Sequence, residues 1–312
     1  MRCILCNQEM EFLTDNLRNG EKGEIYYCRH CDFARLLPKD EISYNSYRKT
    51  HGPTIGKETD IQKLFDIECR NQWRRLRILR RYLDRSKSLL DVGCGVGAFL
   101  WNIKGKVSVA IGVEPNKREA EYAEEKTGYK VIHGTIDDVP EEEAFDIITM
   151  FQTLEHIEDP VAYLIKVKQH LKPDGTIIIE VPNLHDALKD LYKIPSYETF
   201  YFHKYHYNYF SKQSLRLLLR RVGLEGRIYY TQDYNVFNHI HWIIEKQPQE
   251  SCEIGLWEIS IRRWLNINPL EKNYMLDEVE RLFKEFNRNY EELLIKFGMT
   301  SNLTFIGRNC GK

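Results

Sequence analysis

Four cysteines stand as two close pairs, Cys3-x-x-Cys6 and Cys28-x-x-Cys31, with 21 residues between them. Each pair can offer two thiolates on a tight turn. Four thiolates close a tetrahedral shell around a zinc ion and leave no position for water, so the spacing predicts a structural zinc and not a catalytic one. The other cysteines, at 69, 94, 252 and 310, are scattered and read as ordinary thiols. A second constellation is "LLDVGCGVGAFL", where Gly93, Gly95 and Gly97 follow an apolar run that ends in Asp91. A glycine turn between a strand and a helix lets a ligand approach main chain and permits dihedrals closed to other residues. The turn lacks the Gly-Lys-Ser/Thr of a phosphate loop, and its G-x-G-x-G spacing is not the dinucleotide fingerprint. The next apolar run, "VSVAIGVE", ends in Glu114, an acid that can accept from both hydroxyls of a ribose. A nucleoside without a required diphosphate satisfies both features, and S-adenosylmethionine is one. A third group could move protons: Glu155 and His156 in "LEHIEDP", and His203 and His206 in "YFHKYHYNYFS". Imidazole is the natural base for a hydroxyl at neutral pH.

These residues need elements to hold them. The stretch 1–45 is poor in periodic apolar residues and reads as a zinc ribbon, followed by a linker over 44–56. Residues 58–85 carry apolar side chains at helical spacing, with Arg70, Arg74, Arg77 and Arg81 on what should be a solvated face. Beyond them, short apolar runs alternate with helical segments: "SLLDVG", "VSVAIGVE", "YKVIHG", "FDIITMF" and "TIIIEVP". That alternation predicts right-handed crossovers and an α/β domain on a mostly parallel sheet over 46–312. Residues 225–245 read as one or two strands, 257–297 as helical, and "NLTFIGR" as a last strand. The segment at about 232–298 reads as an insertion or lid.

Taken together, "LLDVGCGVGAFL", "IGVEPN", "HGTIDD", "FDIITMFQTLEHIEDP" and "LKPDGTIIIEVPN" resemble the class I S-adenosylmethionine-dependent methyltransferases over roughly residues 58–245. The resemblance implies a doubly wound, Rossmann-like sheet of seven strands, the last antiparallel. It implies that Asp91, Gly93 and Gly95 lie around the methionine part, with Cys94 and Gly97 of the same turn also binding the cofactor. Glu114, followed by Pro115, would hold the ribose, and Thr135 and Ile136 would flank the adenine. Many members carry Gly-Asp where this chain has Gly134-Thr135, and Asp137 stands close by as a substitute. Phe151 and Gln152 would border cofactor and acceptor. The arrangement is also similar to bacterial sugar and glycan-cluster methyltransferases with an N-terminal zinc module. Some relatives hold a divalent metal with Glu-x-x-Glu-His and a later His. Here the first acid is Gln152, which weakens such a site.

The expected acceptor is a hydroxyl on a sugar nucleotide, glycan or small secondary metabolite, methylated in line with a His base. The tyrosines and phenylalanines of "IPSYETFYFHKYHYNYF" offer faces for a sugar or base, and His239 and His241 are weaker candidates. Carbon methylation of a sugar, methylation of nucleic acid and a degenerate scaffold are the competing readings. A net charge of -1 argues against nucleic acid and anionic membrane. The start of the chain lacks the apolar core of a signal peptide, so the expected location is cytoplasmic.

Overall fold

The computed structural model describes residues 1–39, 60–250, 253–256, 258–268 and 272–310. The expected ribbon boundary at 45, the whole linker at 44–56 and Cys252 fall outside the described residues. The described residues divide into two compact units. The first comprises Met1–Leu184, Thr199–Tyr229 and Leu303–Lys312, and the second His185–Glu198 and Tyr230–Asn302.

The first unit opens with a small antiparallel sheet. Strands β1 (Glu11–Thr14), β2 (Gly23–Cys28) and β3 (Phe33–Pro38) pair in order, and β3 pairs further with a strand far along the chain, β9 (Asn208–Phe210). Phe33 stands opposite Phe210, Ala34 opposite Tyr209 and Arg35 opposite Asn208. The two cysteine turns close one end of this sheet.

The larger sheet contains β4 (Ser88–Val92), β5 (Val109–Glu114), β6 (Lys130–His133), β7 (Phe145–Phe151), β8 (Leu171–Pro182), β10 (Leu224–Thr231) and β11 (Asn302–Asn309). Their order is β10-β11-β8-β7-β4-β5-β6. The pairs β4–β5, β4–β7, β5–β6 and β7–β8 are parallel. This is the doubly wound, mostly parallel arrangement the alternation predicts. The central strands are apolar on both faces, as helices on both sides require: Leu89, Leu90, Ile147, Ile148, Ile177, Ile178 and Ile179 are all fully buried. Chain order reverses between β5 and β7 across β4, so the crevice above the carboxyl end of β4 is the natural ligand position.

The reading of one long helix over 58–85 is corrected. Helices Ile61–Asn71 and Trp73–Leu79 meet at Gln72, whose buried side chain donates to the Glu68 carbonyl at 3.1 Å. The arginine face is not uniformly solvated either. Arg74 is buried, with its guanidinium over the Trp73 ring at 5.3 Å.

In the second unit, residues 236–245 form a helix, capped by Asn235, instead of the expected strand. Its apolar residues Val236 and Trp242 and the buried His239 fall three apart, a helical spacing that the β-branched content obscures. His239 bonds the Tyr290 hydroxyl at 2.7 Å on the long helix Tyr274–Phe297. It is a packed histidine, and burial lowers its pKa to about 4.

Candidate active site

At the carboxyl end of β4 the chain turns through Gly93, Gly95 and Gly97 at φ +76°, +53° and +78°. These left-handed angles explain the glycines, but bare main chain for a ligand is not the reason at every position. A Cβ on Gly93 would stand 2.4 Å from Thr153 Oγ1, and one on Gly97 would stand 2.8 Å from the Ala123 Cβ. Protein atoms fill both spaces. The Cys94 thiol points into the core against Gly112 and Leu100, so its side chain is packing and not a ligand contact. Its amide and that of Gly93 both donate to the Val113 carbonyl, at 3.1 and 2.8 Å.

Glu114 closes the turn. Its Oε2 accepts from the Gly95 amide at 2.9 Å, and its Oε1 accepts from the Asn116 amide at 2.8 Å. One carboxylate thus ties the ends of β4 and β5 together. A carboxylate oxygen has two acceptor sites, so both oxygens keep capacity for a ribose diol. The donor set fits S-adenosylmethionine at this position. Pro115, the next residue, is exposed.

Around the expected adenine position, Thr135 caps a short turn, Ile136–Asp138, and its amide donates to Asp138 at 2.8 Å. Ile136 is buried beneath it. Asp137, the nearby acid, is exposed and pairs with Lys166 at 2.7 Å.

Beneath the turn, Asp91 is buried and accepts the Thr149 hydroxyl at 2.7 Å. Burial raises its pKa to about 6, against the opposing influence of Thr149 and Arg75. Arg75 was not singled out by the sequence reading. Its Nε and Nη2 both donate to Glu180 Oε1, at 2.9 and 2.6 Å, and its guanidinium lies 4.5 Å from the centre of the Phe151 ring. Phe151 packs edge-on against Phe99. Gln152 has φ +53°, its amide donates to the Glu180 carbonyl at 2.9 Å, and its side chain faces Glu180 Oε1 at 3.5 Å. A non-glycine residue held in this conformation at the end of β7 is a locally over-determined backbone. A signal for this group existed in the sequence. Glu180 is the acid inside the apolar run "TIIIEVP", and Arg75 shares a helix face with Gln72 and Leu79.

The three-residue turn Leu154–His156 follows β7. Glu155 is fully buried, and neither carboxylate oxygen has a hydrogen-bond partner among the described residues. The Nε2 atoms of His156 and His206 each stand 4.0 Å from its Oε1. Burial pushes the Glu155 pKa up to about 8. His156 Nδ1 lies 2.8 Å from the Tyr205 carbonyl, which can only accept, so Nδ1 carries a proton and Nε2 faces Glu155. His203 stacks behind His206 with ring centres 3.9 Å apart, and its amide donates to the Tyr209 hydroxyl. One carboxylate oxygen and two imidazole nitrogens, from Glu155, His156 and His206, thus lie within 4.8 Å of one another, a donor set that fits a divalent cation. Gln152 is turned toward Glu180 and does not replace the missing acid. The aromatic loop gives up most of its faces to packing: Tyr201, Phe202, Tyr205, Tyr209 and Phe210 are all buried.

The cysteine pairs converge. Cys3 Sγ lies 3.5 Å from Cys31 Sγ, Cys6 Sγ 3.5 Å from Cys28 Sγ, and Cys6 Sγ 3.6 Å from Cys31 Sγ. These separations exceed a disulfide bond. They are close to the roughly 3.8 Å expected of sulfurs about 2.3 Å from a tetrahedral zinc. The residues fit that ion.

Known proteins match this geometry in its central part. A family model described as a methyltransferase domain matches residues 65–227. A tRNA U34 carboxymethyltransferase of Photobacterium profundum is 27% identical over 177 residues, 53% of this chain and 48% of that protein. The mitochondrial ubiquinone biosynthesis O-methyltransferase of Candida albicans is 32% identical over 112 residues, 32% of this chain and 34% of that protein. The chain therefore spans half the length or less of these curated relatives. Among solved structures, a chain of the complex between the Haloferax volcanii Trm112 methyltransferase activator and a methyltransferase aligns with TM-score 0.50 and 16% identity, covering 79% of this chain and 92% of that one. This last likeness is one of fold. With the family model spanning more than half of its length, the chain belongs to the methyltransferase-domain family and has the fold of the class I S-adenosylmethionine-dependent methyltransferases.

Proposed function

We propose that this S-adenosylmethionine-dependent methyltransferase methylates an oxygen of a small hydroxyl-bearing acceptor, such as a sugar nucleotide, glycan unit or secondary metabolite. The observation that carries the reading is the buried Glu155 carboxylate between the Nε2 atoms of His156 and His206, at the end of β7. A hydroxyl becomes a competent nucleophile as its proton leaves, and a basic group within reach of it supplies that path. His206 is the preferred base. His156, its other nitrogen held by Tyr205, is oriented to accept, and Glu155 stands 4.0 Å from the Nε2 atoms of both histidines. The cofactor supplies the activated methyl group, and the chain aligns donor and acceptor. With a divalent cation bound, Glu155, His156 and His206 would be its ligands, and the cation in place of the His206 base would lower the acceptor's pKa. Cys3, Cys6, Cys28 and Cys31 would hold a structural zinc, with no water position and no step in the transfer.

A second reading, transfer to RNA, is favoured by the printed names of several curated relatives, tRNA U34 carboxymethyltransferases. The overall charge of -1 and the burial of Arg74 within the arginine stripe weigh against it.

The test is transfer of labelled methyl from S-adenosylmethionine to a panel of sugar nucleotides, phenols and bulk tRNA, with and without divalent metal. The reading expects an O-methylated small molecule. It also expects His206→Ala and Glu155→Gln to slow turnover about 10²- to 10⁴-fold with cofactor affinity retained. Labelling of tRNA alone, with affinity falling steeply as salt rises, would replace it with the RNA reading.

A further inference from the structure

The ribbon and the histidine loop share one sheet, and that fact reaches the site. Residues 199–201 end a helix and 208–210 form β9, and the histidine-bearing stretch 202–207 between them has no regular structure. Left alone, such a loop would lose its order at modest cost. It is bonded on two sides. On the ribbon side, Asn16 Nδ2 donates to Thr199 Oγ1 at 2.8 Å, and Arg18 Nε donates to the Phe200 carbonyl at 2.6 Å. The Arg18 amide donates to the Phe202 carbonyl at 2.8 Å, and the Lys204 amide donates to Glu21 Oε2 at 3.0 Å. The Leu36 amide donates to the Tyr207 carbonyl at 2.9 Å, and β3 pairs with β9. The Arg18 guanidinium also lies 3.7 Å above the Phe200 ring. On the opposite side, the Tyr205 carbonyl fixes His156, and Asn208 Nδ2 donates to the Ile157 carbonyl at 2.5 Å.

We propose that the cysteine ribbon is the outer wall of the acceptor site, and that zinc at Cys3, Cys6, Cys28 and Cys31 holds the histidine loop in place through Arg18, Glu21 and strand β3. This rests on the zinc and histidine readings given above and assigns the ribbon a task within them. Arg18 is a positioning residue: it touches neither acceptor nor cofactor, and acts on His203, His206 and the Tyr205 carbonyl through the main chain of their loop. The cofactor turn at Gly93–Gly97 and Glu114 makes none of these bonds. Loss of zinc or of Arg18 therefore disassembles the acceptor side and leaves nucleoside binding intact.

The test uses the full chain and needs no acceptor. Diethyl pyrocarbonate modification of each histidine is mapped by mass spectrometry, beside zinc content and calorimetry with S-adenosylhomocysteine. Arg18→Ala, and separately chelation of zinc, should raise modification of His203 and His206 at least 5-fold. The exposed His133 on β6 should not change. Affinity for S-adenosylhomocysteine should stay within 2-fold, and Arg18→Lys, which keeps a cation and a donor over Phe200, should restore most of the protection. Unchanged His203 and His206 reactivity would overturn the proposal. So would a parallel collapse of S-adenosylhomocysteine affinity, which would make the ribbon a general folding requirement. A chain that takes up no zinc would overturn it as well. Failure of the wild-type chain to bind S-adenosylhomocysteine is a separate result and counts against the cofactor reading instead.

Discussion

At the scale of single residues, the site is a set of buried acids given different tasks by their neighbours. Glu114 is tied to two amides and stays an acceptor. Glu155 has no hydrogen-bond donor within the described residues, and burial lifts its pKa to about 8. Asp91 lies between them, with one hydroxyl for company and a pKa near 6. The sign of the Asp91 effect is fixed by its raised value. Between the ordinary aspartate value of about 4 and about 6, the folded chain keeps a proton that the unfolded chain has released, so stability falls as pH rises through that window. Asp91→Asn should therefore raise the melting temperature above pH 6 relative to wild type, and the gain should vanish near pH 3. If Asp91 faces the ammonium of the methionine part, affinity for S-adenosylhomocysteine should weaken as pH drops below about 6. Calorimetry from pH 5 to 8 checks this, and a flat profile would place the ammonium elsewhere. Glu114, His156 and His206 were legible from position and type. Arg75 and Thr153 were not, because their importance comes from what they touch across the fold: Arg75 meets Glu180 from a distant helix, and Thr153 fills the space beside Gly93.

At the scale of elements, the parallel sheet was legible because each strand is a short apolar run between helical segments. The stretch 236–245 is a helix where the pattern suggests a strand, because its isoleucines and aromatics suit either structure and the buried histidine shows its face only in three dimensions. The glycine turn was found for a reason that is partly replaced by another. Its positive φ values and its packing against Thr153 and Ala123 both exclude side chains. Gly93→Ala should cost roughly 2 kcal/mol or more, from strain and the clash with Thr153. Combining Gly97→Ala with Ala123→Gly should regain only a small part of the Gly97→Ala loss, because the second change removes the 2.8 Å contact but leaves Thr127 Cγ2 at 3.0 Å, the Ala123 Cα at 3.1 Å and the strained φ, and adds a glycine inside a helix. Urea denaturation of the single and double variants measures both. A Gly97→Ala chain as stable as wild type would contradict the packing account.

At the scale of the whole molecule, the ribbon is the part that sequence reading separated most and the fold separates least. Two C-x-x-C pairs announce a metal, but nothing local announces that β3 will pair with a strand 170 residues onward or more. Long-range strand pairing has no signature within a short window, which is why the ribbon's pairing with β9 appears only in the fold. Among the described residues, no helix is long and apolar enough to cross a membrane. The account as a whole depends on a nucleoside held by Glu114 above the glycine turn. The most direct measurement is calorimetry of S-adenosylhomocysteine with the wild-type chain and with Glu114→Gln, which keeps one acceptor oxygen for the turn. The account predicts one-to-one binding by wild type, weakened about 10- to 100-fold by the substitution, or roughly 1.4–3 kcal/mol. No binding by wild type, or equal affinity in the two chains, would contradict it.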